Sequence, residues 1–263
     1  MSQPNSRAFE RWRLIAVGVS VLLVISVLKL GADVVGQRPV VRIDAALASQ
    51  LQGLRAPWLD SVMMMASALG DGGQRTAVTV LAALYLLWRR RWRWALALAL
   101  AMIGSALITP AFKTLFHVAR PSALYSGAEA YSFPSGHATS AAVLYLTLAW
   151  MASRALAPRW RPLAWLLAAI AILVTAVSRV YVGAHWPSDV VAGMALGGAL
   201  ASLAIAFAAG ARPATPDTQP ELDGVAFITA VAIVAAVLGP HAFSKAQRLY
   251  GPYLQSELSR SAQ

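Results

Sequence analysis

Three short polar segments interrupt an otherwise apolar chain, and their residue types suit the transfer of a phosphoryl group. The first is Lys113, followed after six residues by Arg120-Pro121. The second is Pro134-Ser135-Gly136-His137. The third is Ser178-Arg179, then His185, then Asp189. A phosphoryl group in transfer spreads its charge over three equatorial oxygens, so catalysis is mostly positioning and charge neutralisation. Lys113, Arg120 and Arg179 are three cations able to surround those oxygens, Arg through a planar fork and Lys as a point charge. In a helix, Lys113 and Arg120 share a face. Ser135 and Gly136 fall where a helix is expected to begin. A hydroxyl and free backbone N–H groups at such a point make an anion site, and Gly136 admits close backbone approach.

The histidines suit a covalent route. Pro187 fits the first position of a helix, which puts Asp189 in the first turn. Asp189 can then accept the Nδ1–H of His185, fix the tautomer and leave Nε2 free to attack phosphorus. His137 suits the acid that protonates the departing oxygen and the base that later activates water. No metal or cofactor is required, because basic side chains supply the positive charge. This division of roles predicts a bell-shaped pH profile, with His185 neutral and His137 protonated. Taken singly, each segment has a plainer reading. Lys113 and Arg120 suit snorkelling at an interface. Pro134 to His137 suits a capped loop-to-helix junction, and His185 with Asp189 a structural pair. Arg179 is harder to dismiss. At the centre of a span an Arg costs about 2.5–3.5 kcal/mol, so it belongs at an end and with a partner. The joint occurrence of the three segments favours the catalytic reading.

The elements that must position these residues are membrane spans. Of the 263 residues, 58% are apolar or aromatic and 13% are charged, against a usual charged share of about 25%. Mean hydropathy is +0.60. These values exclude a disordered chain, a coiled coil and an ordinary soluble enzyme. The absence of Cys excludes disulfides, thiolate metal sites and a Cys nucleophile. Spans of about 20 apolar residues are expected near 14–30, 72–88, 94–111, 137–151, 163–178 and 190–209, with 225–238 a candidate seventh. Residues 31–56 read as an exposed connection with a short amphipathic helix, and 57–69 as interfacial or re-entrant. Residues 211–223 read as a polar linker, and 241–263 as a polar tail dispensable for chemistry. The runs are too long, and too poor in period-2 alternation, for strands. The expected fold is therefore an all-α polytopic bundle with a six-helix core. Its parts are an anchor and connection (1–56), a catalytic core (57–210) and a C-terminal region (211–263).

Arg7, Arg11 and Arg13, the cluster from Arg89 to Arg93, then Arg154, Arg159, Arg161 and Arg212 all fall on one side of these spans. The positive-inside rule makes that side cytoplasmic. All three polar segments then fall on the opposite side.

In their order and spacing, KTLFHVARP, PSGH and SRVYVGAHWPSD match the signature of the phosphatidic acid phosphatase type 2 superfamily. The sequence resembles these membrane lipid phosphatases, which share their site with vanadium haloperoxidases, at every motif position over about 113–189. The resemblance implies a six-helix core, His185 as nucleophile, Asp189 as its partner and His137 as acid and base. It implies phosphate binding by Lys113, Arg120, Ser135, Gly136 and Arg179. Ser178, Pro121 and Pro134 belong to the motifs without an assigned role. The expected partners are a lipid phosphate substrate and membrane lipids, not nucleic acid. Undecaprenyl diphosphate, phosphatidylglycerol phosphate and phosphatidic acid are the candidate substrates. The many Arg residues and short loops resemble a bacterial inner-membrane protein with its site on the outer face. A lipid phosphotransferase using the same intermediate, or a lipid or anion transporter, are the alternatives. Outside the motifs, His117 reads as a surface residue and His241 as structural. Asp60 and Asp71 read as helix caps or as lining of a lipid entrance, Met63 to Met65 as apolar packing, and the Trp residues as an aromatic belt.

Overall fold

The computed structural model describes residues 6–122, 127–209 and 224–261. Its helices are α1 (Ser6–Val35), α2 (Val40–Gly53), α3 (Pro57–Ala68), α4 (Gly72–Trp88), α5 (Trp92–Phe116), α6 (Gly136–Ala155), α7 (Arg161–Tyr181), α8 (Pro187–Ala209) and α9 (Gly224–Ser261). Among the described residues, α1, α5, α7 with the turn before it, and α8 are long and apolar enough to cross a membrane. Large apolar side chains such as Leu22, Leu107 and Leu166 stand exposed on their outer faces. Lipid suits such surfaces, and the chain is a multi-pass integral membrane protein.

Local chemistry sets the helix ends. Pro57 opens α3. Asp71 caps α4, its Oδ1 accepting from the Gly73 N–H at 2.9 Å. Ser135 is the N-cap of α6. Pro187 opens α8 and places Asp189 in its first turn, as expected. Each expected span falls within a helix: α4 matches 72–88, the other five run on at one or both ends, and 225–238 lies inside α9, while α4 and α6 do not reach the length and apolar character of the four spanning helices. Arg–Trp contacts mark one end of the bundle. Arg89 lies over Trp88, Arg91 over Trp94, Arg93 over Trp92 and Arg159 over Trp160. These residues sit where α4 and α6 finish and α5 and α7 start, the ends remote from the three polar segments.

α6 is the central helix and packs most extensively against α8 and α7. Its buried face is built from small residues, among them Ala138, Thr139, Ala141 and Ala142. Without a hydrophobic drive between helices in lipid, small residues gain van der Waals contact by letting backbones approach. Gly193 and Gly197 of α8 carry this furthest. A Cβ at Gly193 would lie 2.6 Å from the Ser135 carbonyl oxygen, and one at Gly197 would collide with the Thr139 carbonyl. The Ser135 N–H donates to the Asp189 carbonyl at 2.9 Å. Close packing of α6 on α8 thus brings the second and third polar segments together.

The short amphipathic helix expected within 31–56 is α2, which buries Asp44 and Ala48 on one face, and two other expectations need correction. α1 continues to Val35, and α2 is anchored through buried Asp44, which accepts from the Ser188 N–H at 2.8 Å and its hydroxyl at 2.5 Å. Burial pushes the Asp44 carboxyl up, against the lowering effect of these two bonds. Asp60 is no cap: it accepts from the Tyr181 hydroxyl at 2.7 Å, buried between α3 and α7. Residues 241–263 are not a tail standing apart from the bundle. Up to Ser261 they continue α9, which includes 225–238 and packs on α3 and α4. The expected linker 211–223, with Arg212, lies outside the described residues.

Candidate active site

The last turn of α5 carries Lys113, which is buried. The helix ends at His117, an exposed residue in the left-handed region at φ 51° that packs edge-on against Tyr131. Arg120 therefore does not share a helical face with Lys113. It follows in irregular chain, and both cations nevertheless reach Glu129: Lys113 Nζ lies 3.4 Å and Arg120 Nη2 3.7 Å from its Oε2.

His185 sits in the turn between α7 and α8. Arg179 accepts the His185 N–H on its backbone carbonyl at 3.1 Å. Ser122 donates to the Gly183 carbonyl at 2.8 Å, and Arg120 Nη1 donates to the Ala184 carbonyl at 2.6 Å. Gly183 has φ +73°, a conformation that favours glycine. Arg120 Nη1 also stands 3.1 Å from His185 Nε2. Guanidinium only donates, so Nε2 is the acceptor and the ring hydrogen belongs on Nδ1. Nδ1 faces Asp189 Oδ2 at 3.4 Å, while that oxygen accepts from the Trp186 N–H at 2.8 Å. The His–Asp separation is longer than a well-made hydrogen bond. Burial, and then the charges of Arg120, Arg179 and Lys113, push the His185 imidazole well below its usual range.

Arg179, in the last turn of α7, is only 1% exposed. Nη1 donates to the Ser67 hydroxyl of α3 at 2.6 Å, and Nη2 donates to the Tyr250 hydroxyl of α9 at 2.7 Å. Ser135 and Asp189 are fully buried and do not line the cavity described next. The Ser135 hydroxyl faces the Ala138 N–H at 3.5 Å, a long capping contact. A Cβ at Gly136 would meet only Thr109 Cγ2, at 3.6 Å, so no protein neighbour demands this glycine. Ser178 bonds back within α7, to the Thr175 carbonyl at 2.7 Å. Pro121 and Pro134 flank the site without lining it.

A cavity of about 730 Å³ joins these parts. Lys113, Arg120, Arg179, Gly136, His137 and His185 line one end. From there it runs between α4 and α5, past Thr79, Val80, Ala83, Met102 and Ile103. The structure thus gathers three cations and both motif histidines around one space with an apolar extension. Five participants were missed in the sequence: Ser67, Arg75, Glu129, Lys245 and Tyr250. Arg75 carried a weak signal, being a charge one turn into a span beyond Asp71. The other four carried none.

Residues 94–213 match the family model described as PAP2 superfamily. Phosphatidylglycerophosphatase B of Bacillus subtilis is 28% identical over 157 residues, covering 59% of this chain and 77% of that protein. An undecaprenyl-diphosphatase of Sulfolobus acidocaldarius is 42% identical over 79 residues, which cover 28% of this chain and only 32% of that protein. Among solved structures, the transmembrane PAP2 type phosphatidylglycerolphosphate phosphatase of Bacillus subtilis superposes with a TM-score of 0.67 at 26% identity. That match covers 74% of this chain and 98% of the other.

Proposed function

We propose that this chain is a membrane lipid phosphatase of the PAP2 superfamily, which its similarity over residues 94–213 supports, and that it hydrolyses a phosphate or diphosphate ester of a lipid through a phosphohistidine on His185, without a metal. The observation that carries this reading is the single cavity that joins the cation ring to an apolar slot between α4 and α5. A headgroup can sit among Lys113, Arg120 and Arg179 while its tail stays in lipid. Candidate substrates are undecaprenyl diphosphate, phosphatidylglycerol phosphate and phosphatidic acid. The names of the two relatives bring in the first two.

In the first step the Nε2 lone pair of His185 forms a bond to phosphorus, and the bond from phosphorus to the leaving oxygen breaks. His137 gives that oxygen its proton. In the second step water attacks the phosphohistidine, His137 takes the proton of water, and the P–N bond breaks to restore His185. Asp189 holds the Nδ1–H side of the ring. The 3.4 Å gap closes as the imidazole gains positive charge, since catalytic hydrogen bonds tighten in the reacting complex. The Arg clusters lie at the end of the bundle remote from the site, which supports an extracytoplasmic site.

The depressed His185 gives a pH prediction. A group with a lowered pKa stays neutral, and so nucleophilic, to more acid pH than an ordinary imidazole near 6.5. The acid limb of kcat/KM attributable to His185 therefore lies below that value. Arg120→Gln removes the largest charge acting on the ring, so it moves this limb to higher pH. Comparing the two proteins on one lipid phosphate cancels the ionisation of the substrate. An unmoved limb contradicts the assignment.

The function itself is tested by phosphate release from a panel of lipid phosphates in EDTA. Wild type is expected to release phosphate, and vanadate to inhibit it. Strict dependence on Mg²⁺, transfer to a lipid hydroxyl without phosphate release, or no release from any substrate each overturns the reading.

A further inference from the structure

The cavity holds two cations beyond those of the three motifs. Arg75 lies one turn into α4, and Lys245 lies on α9, outside the span matched by the family model. Both line the same space as His137. Lys245 Nζ stands 2.7 Å from Asp71 Oδ2. Burial acts upward on the Asp71 carboxyl, but the bonds from Lys245 and the Gly73 N–H outweigh it and hold it below the usual range, so it is ionised. Arg75 Nε reaches only the Asp71 carbonyl, at 3.4 Å. Among the described residues no carboxylate lies within ion-pair distance of Arg75. The Asp71 carboxylate is thus paired with Lys245, and the Arg75 charge is left over at the cavity wall.

This cluster sits on the His137 side of the site. The turn from α3 to α4 packs directly on that ring: a Cβ at Gly70 would lie 3.0 Å from His137 Cδ2 and 3.2 Å from its Cβ. Asp71 is the next residue. In the proposed mechanism His137 faces the leaving oxygen, whereas Lys113, Arg120 and Arg179 face the phosphoryl group being transferred. A neutral alcohol leaving group gives surplus positive charge nothing to bind there. A leaving group with its own phosphate does.

We propose that Arg75, with Lys245 and Asp71 beside it, forms a second anion subsite that binds a phosphate carried by the leaving group. The substrate class is then a lipid with two phosphoryl groups, joined directly as a diphosphate or separated as in phosphatidylglycerol phosphate. This deepens the phosphatase reading and rests on it. Arg75 is a specificity-determining residue: it favours such substrates over a lone phosphomonoester.

The test measures kcat/KM for a polyprenyl diphosphate, phosphatidylglycerol phosphate and phosphatidic acid with wild type, Arg75→Gln and Arg75→Lys. Loss of a charged contact made only to the second phosphate lowers kcat/KM by about tenfold or more. Arg75→Gln should show that loss on the diphosphate or on phosphatidylglycerol phosphate, with phosphatidic acid changing by less than about threefold. Arg75→Lys should recover most of it. Which of the two substrates suffers identifies the spacing of the phosphates. Equal losses on all three, or none on any, overturn the subsite. Wild type acting on phosphatidic acid alone also overturns it while leaving the phosphatase reading intact. Wild type inert on all three overturns that reading instead.

Discussion

Replacing His185 by alanine lowers phosphate release by about 10⁴-fold or more, the scale on which loss of a nucleophile acts in other covalent enzymes. The effect is this large because no neighbour can substitute. The cavity has one other motif histidine, His137. That ring lies across the site, against Gly70, and in the proposed roles it is occupied with the proton. His185→Asn should be as inactive, since an amide nitrogen is not a nucleophile. The turn that carries residue 185 should survive either change. It is held by the Ser122 and Arg120 side chains, which donate to its backbone carbonyls, and by the N–H of residue 185 itself, none of which uses the imidazole. An unchanged elution profile and thermal transition in detergent would verify that. Substantial phosphate release by His185→Ala, with the fold intact, would remove the nucleophile from the account and favour a transport or lipid-binding role.

Arg179→Ala is expected to give the second largest effect, about 10²–10³-fold in kcat, the range seen when one preorganised charge-stabilising donor is lost. Its guanidinium is fixed before substrate arrives. Ser67 and Tyr250 each accept one of its donors, and its charge lies 5.2 Å from the centre of the Tyr250 ring. Arg179→Lys keeps the charge but cannot grip two hydroxyls with a planar fork, so it should fall between wild type and alanine. Tyr250→Phe keeps the ring beneath the guanidinium and removes only the hydroxyl. As a positioning change it should lower kcat by roughly tenfold with little change in KM. A loss confined to thermal stability, with kcat intact, would make the α9 contact purely structural.

The sequence displayed what is local. Pro187 and Asp189 predict the start of α8, and Ser135 the start of α6, because helix ends are decided by residues within one turn. The three polar segments could be placed on one side by counting spans, and the structure gathers them at one end of the bundle. What stayed hidden depends on packing between distant parts of the chain. Asp44 meets Ser188 across 144 residues, Arg179 meets Tyr250 across 71, and Lys245 meets Asp71 across 174. No periodicity or spacing announces such pairs. The polar character of 241–263 suggested an unneeded tail. In fact these residues are helical up to Ser261, with Lys245 lining the cavity and the Tyr250 hydroxyl holding Arg179. Arg120 was misplaced for a local reason: left-handed His117 ends α5 before the face shared with Lys113 could reach it. The structural worth of Gly193 and Gly197 also emerges only once α6 is laid against α8.

The central claim is tested most directly by rapid quenching in alkali during turnover of a lipid substrate labelled in the phosphate that is released, followed by mapping of any label left on the protein. The account predicts acid-labile, alkali-stable label on His185 in wild type, chased off by unlabelled substrate, and none in His185→Ala. Turnover by wild type with no label on the protein, or label on a residue other than His185, would contradict it.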